Sequence, residues 1–293
     1  MTSHTVRVAG RVLPGLMLLV GLFCLAAGPA LAQQRPLVTQ DPESVGAGHV
    51  LVEAGFDYGI DLFFPASGLH GNLLRLPMLG LVVGVSDIAE IQLTGGPYQR
   101  LSVGSRSLAP LADQVVMNGD RTTDVVDMVI GAKVRLLSES SSRPAVAFAF
   151  ATKLPNSKHP NGIGLNTIDF YTSLSFGKTI QSIRFVGNLG LGILPDPVAG
   201  RSQNDVLTYG GSIARAVTDK IDVVGELNGR ASLRSGEAPI GTESRSMIRA
   251  GARYTYGAAR VDAGLLLGLT TRDPSFGFTA GVTYMFKAFT PKG

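Results

Sequence analysis

From His49 onward, apolar and polar residues alternate in segments of about ten residues, the period of strands whose two faces meet different surroundings. In 166–178, Ile168, Phe170, Leu174 and Phe176 alternate with Thr167, Asp169, Tyr171, Ser173 and Ser175. In 144–155, Val146, Phe148, Phe150 and Leu154 alternate with alanines and Lys153. In 259–270, Val261, Ala263, Leu265, Leu267 and Leu269 oppose Arg260 and Asp262. The pattern predicts strands at 49–59, 71–85, 88–96, 125–137, 144–155, 166–178, 182–194, 205–217, 220–231, 245–257, 259–270 and 275–286. Two segments fit poorly, because Pro77 interrupts 71–85 and Arg215 falls among the apolar set of 205–217.

A soluble β-sandwich shares such alternation. Three features favour a membrane barrel instead. The strands are long against a mode of about 5–6 residues. The connections alternate short (86–87, 218–219, 257–258) with long (60–70, 97–124, 156–165, 195–204, 232–244, 271–275), as outer-membrane barrels do. The last segment puts Phe278, Ala280, Val282, Tyr284 and Phe286 on one face and resembles the C-terminal targeting strand of bacterial barrels. Seven residues follow Phe286, where such proteins commonly end on the aromatic. The expected fold is therefore all-β: a transmembrane antiparallel up-and-down β-barrel of about twelve strands.

Composition agrees. The chain has 37 glycines in 293 residues, 16% charged residues and a mean hydropathy of +0.23. Charge is well below the ~25% of soluble domains, and the only long apolar run lies at the N-terminus, so a polytopic helical membrane protein is excluded. That run reads as a cleaved signal peptide over 1–32: Arg7 and Arg11, the apolar Leu16 to Ala27, then Ala30-Leu31-Ala32 before Gln33. Residues 33–48 then form a periplasmic segment, 49–286 the barrel in the outer membrane, and 287–293 a short tail. Removing the leader leaves 24 basic against 22 acidic residues and no cysteine, since Cys24 is in the leader. Such a balance points to no nucleic-acid partner, and no disulfide or thiolate site is available.

With apolar positions facing lipid, the alternate positions face the lumen. The candidate lumen-lining charges are Glu53, Arg75, Glu90, Lys133, Arg135, Asp169, Arg184, Asp222, Glu226, Arg249 and Arg253. Arg or Lys on a barrel's lipid face costs ~2–4 kcal/mol, which pins such groups inside. They serve either as mixed charges pairing across the wall or as the lining of a polar channel. Arg249 and Arg253, four residues apart on one face, are expected to pair with Asp222 or Glu226 on a neighbouring strand.

Enzyme signals are scarce. His49 starts a strand, while His70 and His159 fall in expected outer loops, and no Ser and His share a height on neighbouring predicted strands. No metal motif and no nucleotide loop stands out, so no cofactor, metal or enzymatic activity is expected. The apolar run LAPLADQVVM in the longest loop reads as a lid on the barrel mouth, an inward constriction or a surface contact.

Arg35-Pro36-Leu37-Val38-Thr39-Gln40-Asp41-Pro42 is similar to the start of bacterial proteins of the MetA-pathway of phenol degradation family, also labelled "transporter". Further matches are Asp127 to Leu137, Lys153-Leu154-Pro155, Glu226-Leu227-Asn228-Gly229 and Leu269 to Tyr284. The resemblance implies an outer-membrane channel for aromatic or other hydrophobic small molecules. Its implied partners are outer-membrane lipid, barrel-assembly machinery reading 278–286, and an unidentified solute. Two alternatives stay open: a structural or surface-interaction barrel with a salt-bridged, closed lumen, and an outer-membrane hydrolase.

Overall fold

The computed structural model describes residues 35–290. The expected leader over 1–32, with its cleavage site and Cys24, lies outside the described residues, as do 291–293 of the tail. Twelve antiparallel strands close on themselves in sequence order, β12 pairing back to β1. They are β1 His49–Phe64, β2 Leu69–Gly84, β3 Ala89–Arg106, β4 Arg121–Leu137, β5 Ala145–Lys153, β6 Asp169–Ile180, β7 Ile183–Pro195, β8 Gln203–Ala216, β9 Ile221–Ser232, β10 Arg245–Tyr256, β11 Ala259–Gly268 and β12 Phe276–Lys287. Closure leaves no unpaired edge, the only way a sheet satisfies its backbone in lipid. Among the described residues no helix is long and apolar enough to cross a membrane.

The outer wall is apolar. Val52, Ile91, Ile130, Phe150, Phe170, Leu189, Val261 and Val282 are exposed, while the alternate Glu90, Lys133, Asp169, Glu226 and Asp262 are buried. An exposed apolar belt around buried charges inverts the soluble pattern and suits a lipid surround. Arg215 takes an outward position beside the end of β8, at the rim near the 217–220 turn. There its long side chain can reach the aqueous interface.

The alternation changes face in β2 and in β3. In β2, Leu69 and Leu73 are buried at odd positions, yet Leu79 and Leu81 are exposed at odd positions. In β3, Glu90 is buried and Ile91 exposed, then Gln99 and Leu101 are buried. The switches coincide with Pro77 and with Gly95-Gly96-Pro97, where β2–β3 pairing skips from Arg75↔Gln99 to Leu79↔Gly95 and β3–β4 register shifts. Proline cannot donate to the ladder, so the strands part there. This is why sequence pattern ended the third strand at 96, whereas β3 runs to Arg106. The loop expected at 97–124 shrinks to 107–120, and that expected at 60–70 to 65–68. Within 107–120 the apolar run forms a lid. Leu111 is buried, and Val115 and Met117 pack on a cluster of Leu62, Leu69, Leu73, Leu101 and Ile163.

Candidate functional site in the barrel lumen

The N-terminal segment is inside the barrel. Sequence reading put 33–48 in the periplasm. The described part, from Arg35, instead lies along the lumen and bonds to strands around the wall. Its apolar residues Leu37 and Val45 are buried, and Val45 closes a cluster with Leu51 and Met285. Polar groups drive the rest, because each finds a complementary group on the wall.

Arg35 donates to Thr279 Oγ1 (2.7 Å) and the Ala280 carbonyl (2.9 Å), with Asp57 at 3.8 Å and Asp262 at 3.6 Å. Its own carbonyl accepts from Arg253 Nε at 2.9 Å and Arg260 at 3.3 Å. Glu226 accepts the backbone N–H groups of Val38 (3.0 Å) and Thr39 (2.7 Å) and faces Arg249 Nε at 3.3 Å. The Gln40 N–H donates to Asn188 Oδ1, Asn188 Nδ2 donates back to the Gln40 carbonyl at 2.8 Å, and Gln40 Nε2 reaches Gln92 at 2.7 Å. Asp41 takes two bonds from Arg184, at 2.9 and 2.7 Å. Lys133 donates to the carbonyls of Asp41 and Glu43, each at 2.7 Å, and pairs with Glu90 at 3.0 Å. Glu43 pairs with Arg135, and the Val45 N–H donates to Glu90 at 2.8 Å.

Lumen-facing glycines make room for this strap. Cβ atoms at the register partners Gly55 and Gly281 would lie 2.4 and 2.5 Å from the Arg35 guanidinium. At the partners Gly251 and Gly264 they would lie 3.0 and 3.2 Å from Pro36, and at Gly210 2.7 Å from Thr39 Oγ1. On the turn 138–144, Glu139 pairs with Arg184 and Lys178. Burial opposes its ionisation. The Thr179 N–H and the cations outweigh that and hold the carboxyl below the usual carboxylate range.

The structure thus brings Glu90, Lys133, Arg135, Arg184, Glu226, Arg249 and Arg253 around the strap. Arg249 pairs with Glu226, while Asp222 stands opposite Arg253 in register. Glu53 accepts from Thr283 Oγ1 at 3.3 Å. Asp169 lies higher, with Lys153 at 3.0 Å, which also faces Asp127 at 3.6 Å. Arg75 stands opposite Asp57 in register and near Gln99, 3.4 Å from its Nε.

Cavities flank the strap. One of about 410 Å³ lies between Arg35–Val38, Glu53, Arg75 and Arg249. Another of about 400 Å³ is bounded by Val38–Gln40, Tyr171, Arg230 and Arg245. A third, of about 350 Å³, sits beneath the outer loops and shares Arg75 with the first and Tyr171, Arg230 and Arg245 with the second.

Sequence reasoning missed the strap and one polar chain. Ser105 and His70 are register partners, Oγ to Nδ1 3.4 Å, and His70 Nε2 is 3.0 Å from Asp61. This corrects the expectation that no Ser and His share a height: β3 continues past Gly95-Gly96-Pro97 and carries Ser105 on a strand beside β2. Ser105 is exposed, and the Asp61 and His70 side chains are 56% and 37% exposed, so water screens the charges that would activate a nucleophile. Inward glycines on adjacent strands were the available signal for the strap. They empty the lumen at fixed heights without serving the lipid face.

Closed β topology, apolar exterior and charged lumen define a bacterial outer-membrane β-barrel. Residues 33–286 match the family described as "Putative MetA-pathway of phenol degradation", and the chain belongs to that family. No curated protein sequence matches it. Among solved structures it is similar to the COG4313 outer membrane channel from Pseudomonas putida F1, at 14% identity and TM-score 0.57, over 84% of this chain and 98% of that one. It is also similar to the NanC porin (9%, TM-score 0.48, 80% and 98% covered). A third is a TodX deltaS2S3 mutant, a monoaromatic hydrocarbon channel (11%, TM-score 0.44, 90% and 97%).

Proposed function

We propose that the chain is a non-enzymatic outer-membrane channel. Small molecules, aromatic and other hydrophobic ones included, pass through it by diffusion, and the strap at 35–46 sets its resting closure. The observation that carries this reading is a lumen whose three cavities share lining residues, two of them meeting across the strap at Val38 and Gln40. The family description and the solved channel from Pseudomonas putida support it. The test is swelling of protein-loaded liposomes in a pentose and in a neutral aromatic such as phenyl glucoside, for the full chain and for a variant lacking 35–46. The channel reading expects faster swelling without the strap, with the aromatic entering at least as fast as the pentose. The ion pairs between strap and wall favour a second reading, a permanently closed structural barrel. No swelling from a correctly folded strapless barrel would establish that one instead.

A further inference from the structure

We propose that Arg75, Arg230 and Arg245 form an anion-recognition site at the outer end of the lumen. It takes the carboxylate of a small organic acid whose apolar body lies against the loop-covered wall. This deepens the channel reading and rests on it for the passage of that acid.

Arg230 and Arg245 are direct cross-strand partners on the inward face of β9 and β10. In an antiparallel pair, opposite Cβ atoms lie ~4.5–5.5 Å apart, and like charges there repel. Arg75 borders the same cavity from across the lumen. Among the described residues, none of the three has a carboxylate oxygen within 4.0 Å. Arg245 Nε is buried and makes no hydrogen bond. Arg230 is held in place by the carbonyls of Glu243 (2.9 Å) and Gly241 (3.0 Å), so it is preorganised without being neutralised.

The neighbouring acids have other partners. Asp127 and Asp169 flank Lys153 at 3.6 and 3.0 Å. Asp273, near Arg245, accepts from the Ser246 N–H at 2.9 Å and Thr270 Oγ1 at 2.7 Å. Glu243, also near Arg245, stands 4.0 Å from Arg272. Asp57, opposite Arg75, accepts from Thr279 and faces Arg35. Four basic groups against two carboxylates then line the cavity, and a bound anion removes the repulsion.

The guanidinium fork fits a carboxylate with two parallel bonds. The rest of the cavity selects for an organic body, because Phe64, Ile163, Leu165 and the Tyr171 ring line it. Its volume of about 350 Å³ is at the small end of the ~300–1,000 Å³ range of small-molecule sites. A single-ring or short-chain monocarboxylate matches both size and charge.

The test is calorimetric titration of the full chain in detergent with benzoate, its neutral analogue benzamide, and inorganic phosphate. The site predicts benzoate at least tenfold tighter than benzamide. Arg245→Gln removes that preference and Arg245→Lys keeps part of it, both remaining heat-modifiable on gels. Arg75→Gln gives the same loss and serves if Arg245→Gln does not fold. Equal binding of benzoate and benzamide, or benzoate affinity unchanged in both glutamine variants, overturns the site. Phosphate bound as tightly as benzoate overturns the apolar half of the proposal. Binding is read without transport, so benzoate binding by a barrel that never swells liposomes refutes the channel and leaves the site standing.

Discussion

Glu226 ties the strap to the wall, since its carboxylate accepts from the Val38 and Thr39 N–H groups as well as from Asn228 and faces Arg249. Replacing it by alanine strands a buried guanidinium and two backbone N–H groups at once. Breaking a buried pair from one side costs about 3–5 kcal/mol. Glu226→Ala should therefore lower urea stability by that order and raise conductance in planar bilayers, whereas the exposed Asp205→Asn should do neither. Unchanged conductance would mean that the strap's other tethers hold it alone. Gly210→Val probes the same contact from below. The three atoms nearest its Cβ all belong to Thr39, the closest 2.7 Å away, so a side chain there presses first on the strap. Here conductance should rise with stability falling by less than in Glu226→Ala, because no charge is left unpaired.

At the level of elements, the twelve strands and their order are readable because lipid enforces one rule on every wall residue, and an ion on the wrong face is costly. The reading slips where that rule is suspended. Pro77 and Gly95–Pro97 part β2 from β3 and exchange their faces, so a strand continuing to Arg106 looked like a loop. The last strand shows the opposite case, a regular pattern with an irregular end. Phe286 pairs with Val50 and its ring packs 5.8 Å from Tyr284. Beyond it, Lys287 pairs with His49, and Ala288 and Phe289 bond the Gly48 carbonyl. The tail is thus partly ladder. Phe286→Ala should reduce outer-membrane insertion, scored as heat-modifiable barrel on gels, while loss of 290–293 should be silent. Loss of 287–293 should fall between them. A silent Phe286→Ala would remove the aromatic from any role in assembly.

For the whole molecule, the strap is what alternation cannot reveal. Its sequence has no period, and its partners lie up to 245 positions away, as for Arg35 and Ala280. Its position makes the barrel a coupled system. Arg249 borders the cavity that also holds Arg75, and it faces the same carboxylate that binds Val38 and Thr39. A carboxylate moving inward from Arg75 competes with Glu226 for Arg249. Any such competition frees Glu226 to shift away from the strap, so entry of an anion should loosen the segment that blocks it. Hydrogen exchange at the Val38 and Thr39 amides reads this directly, since both donate to Glu226. Saturating benzoate should speed their exchange several-fold in the full chain, and benzamide should not. In Arg249→Gln, exchange should start faster and respond little to benzoate, because the link is already cut. Benzoate that binds yet leaves both amides protected would show the strap and the outer arginines to be independent.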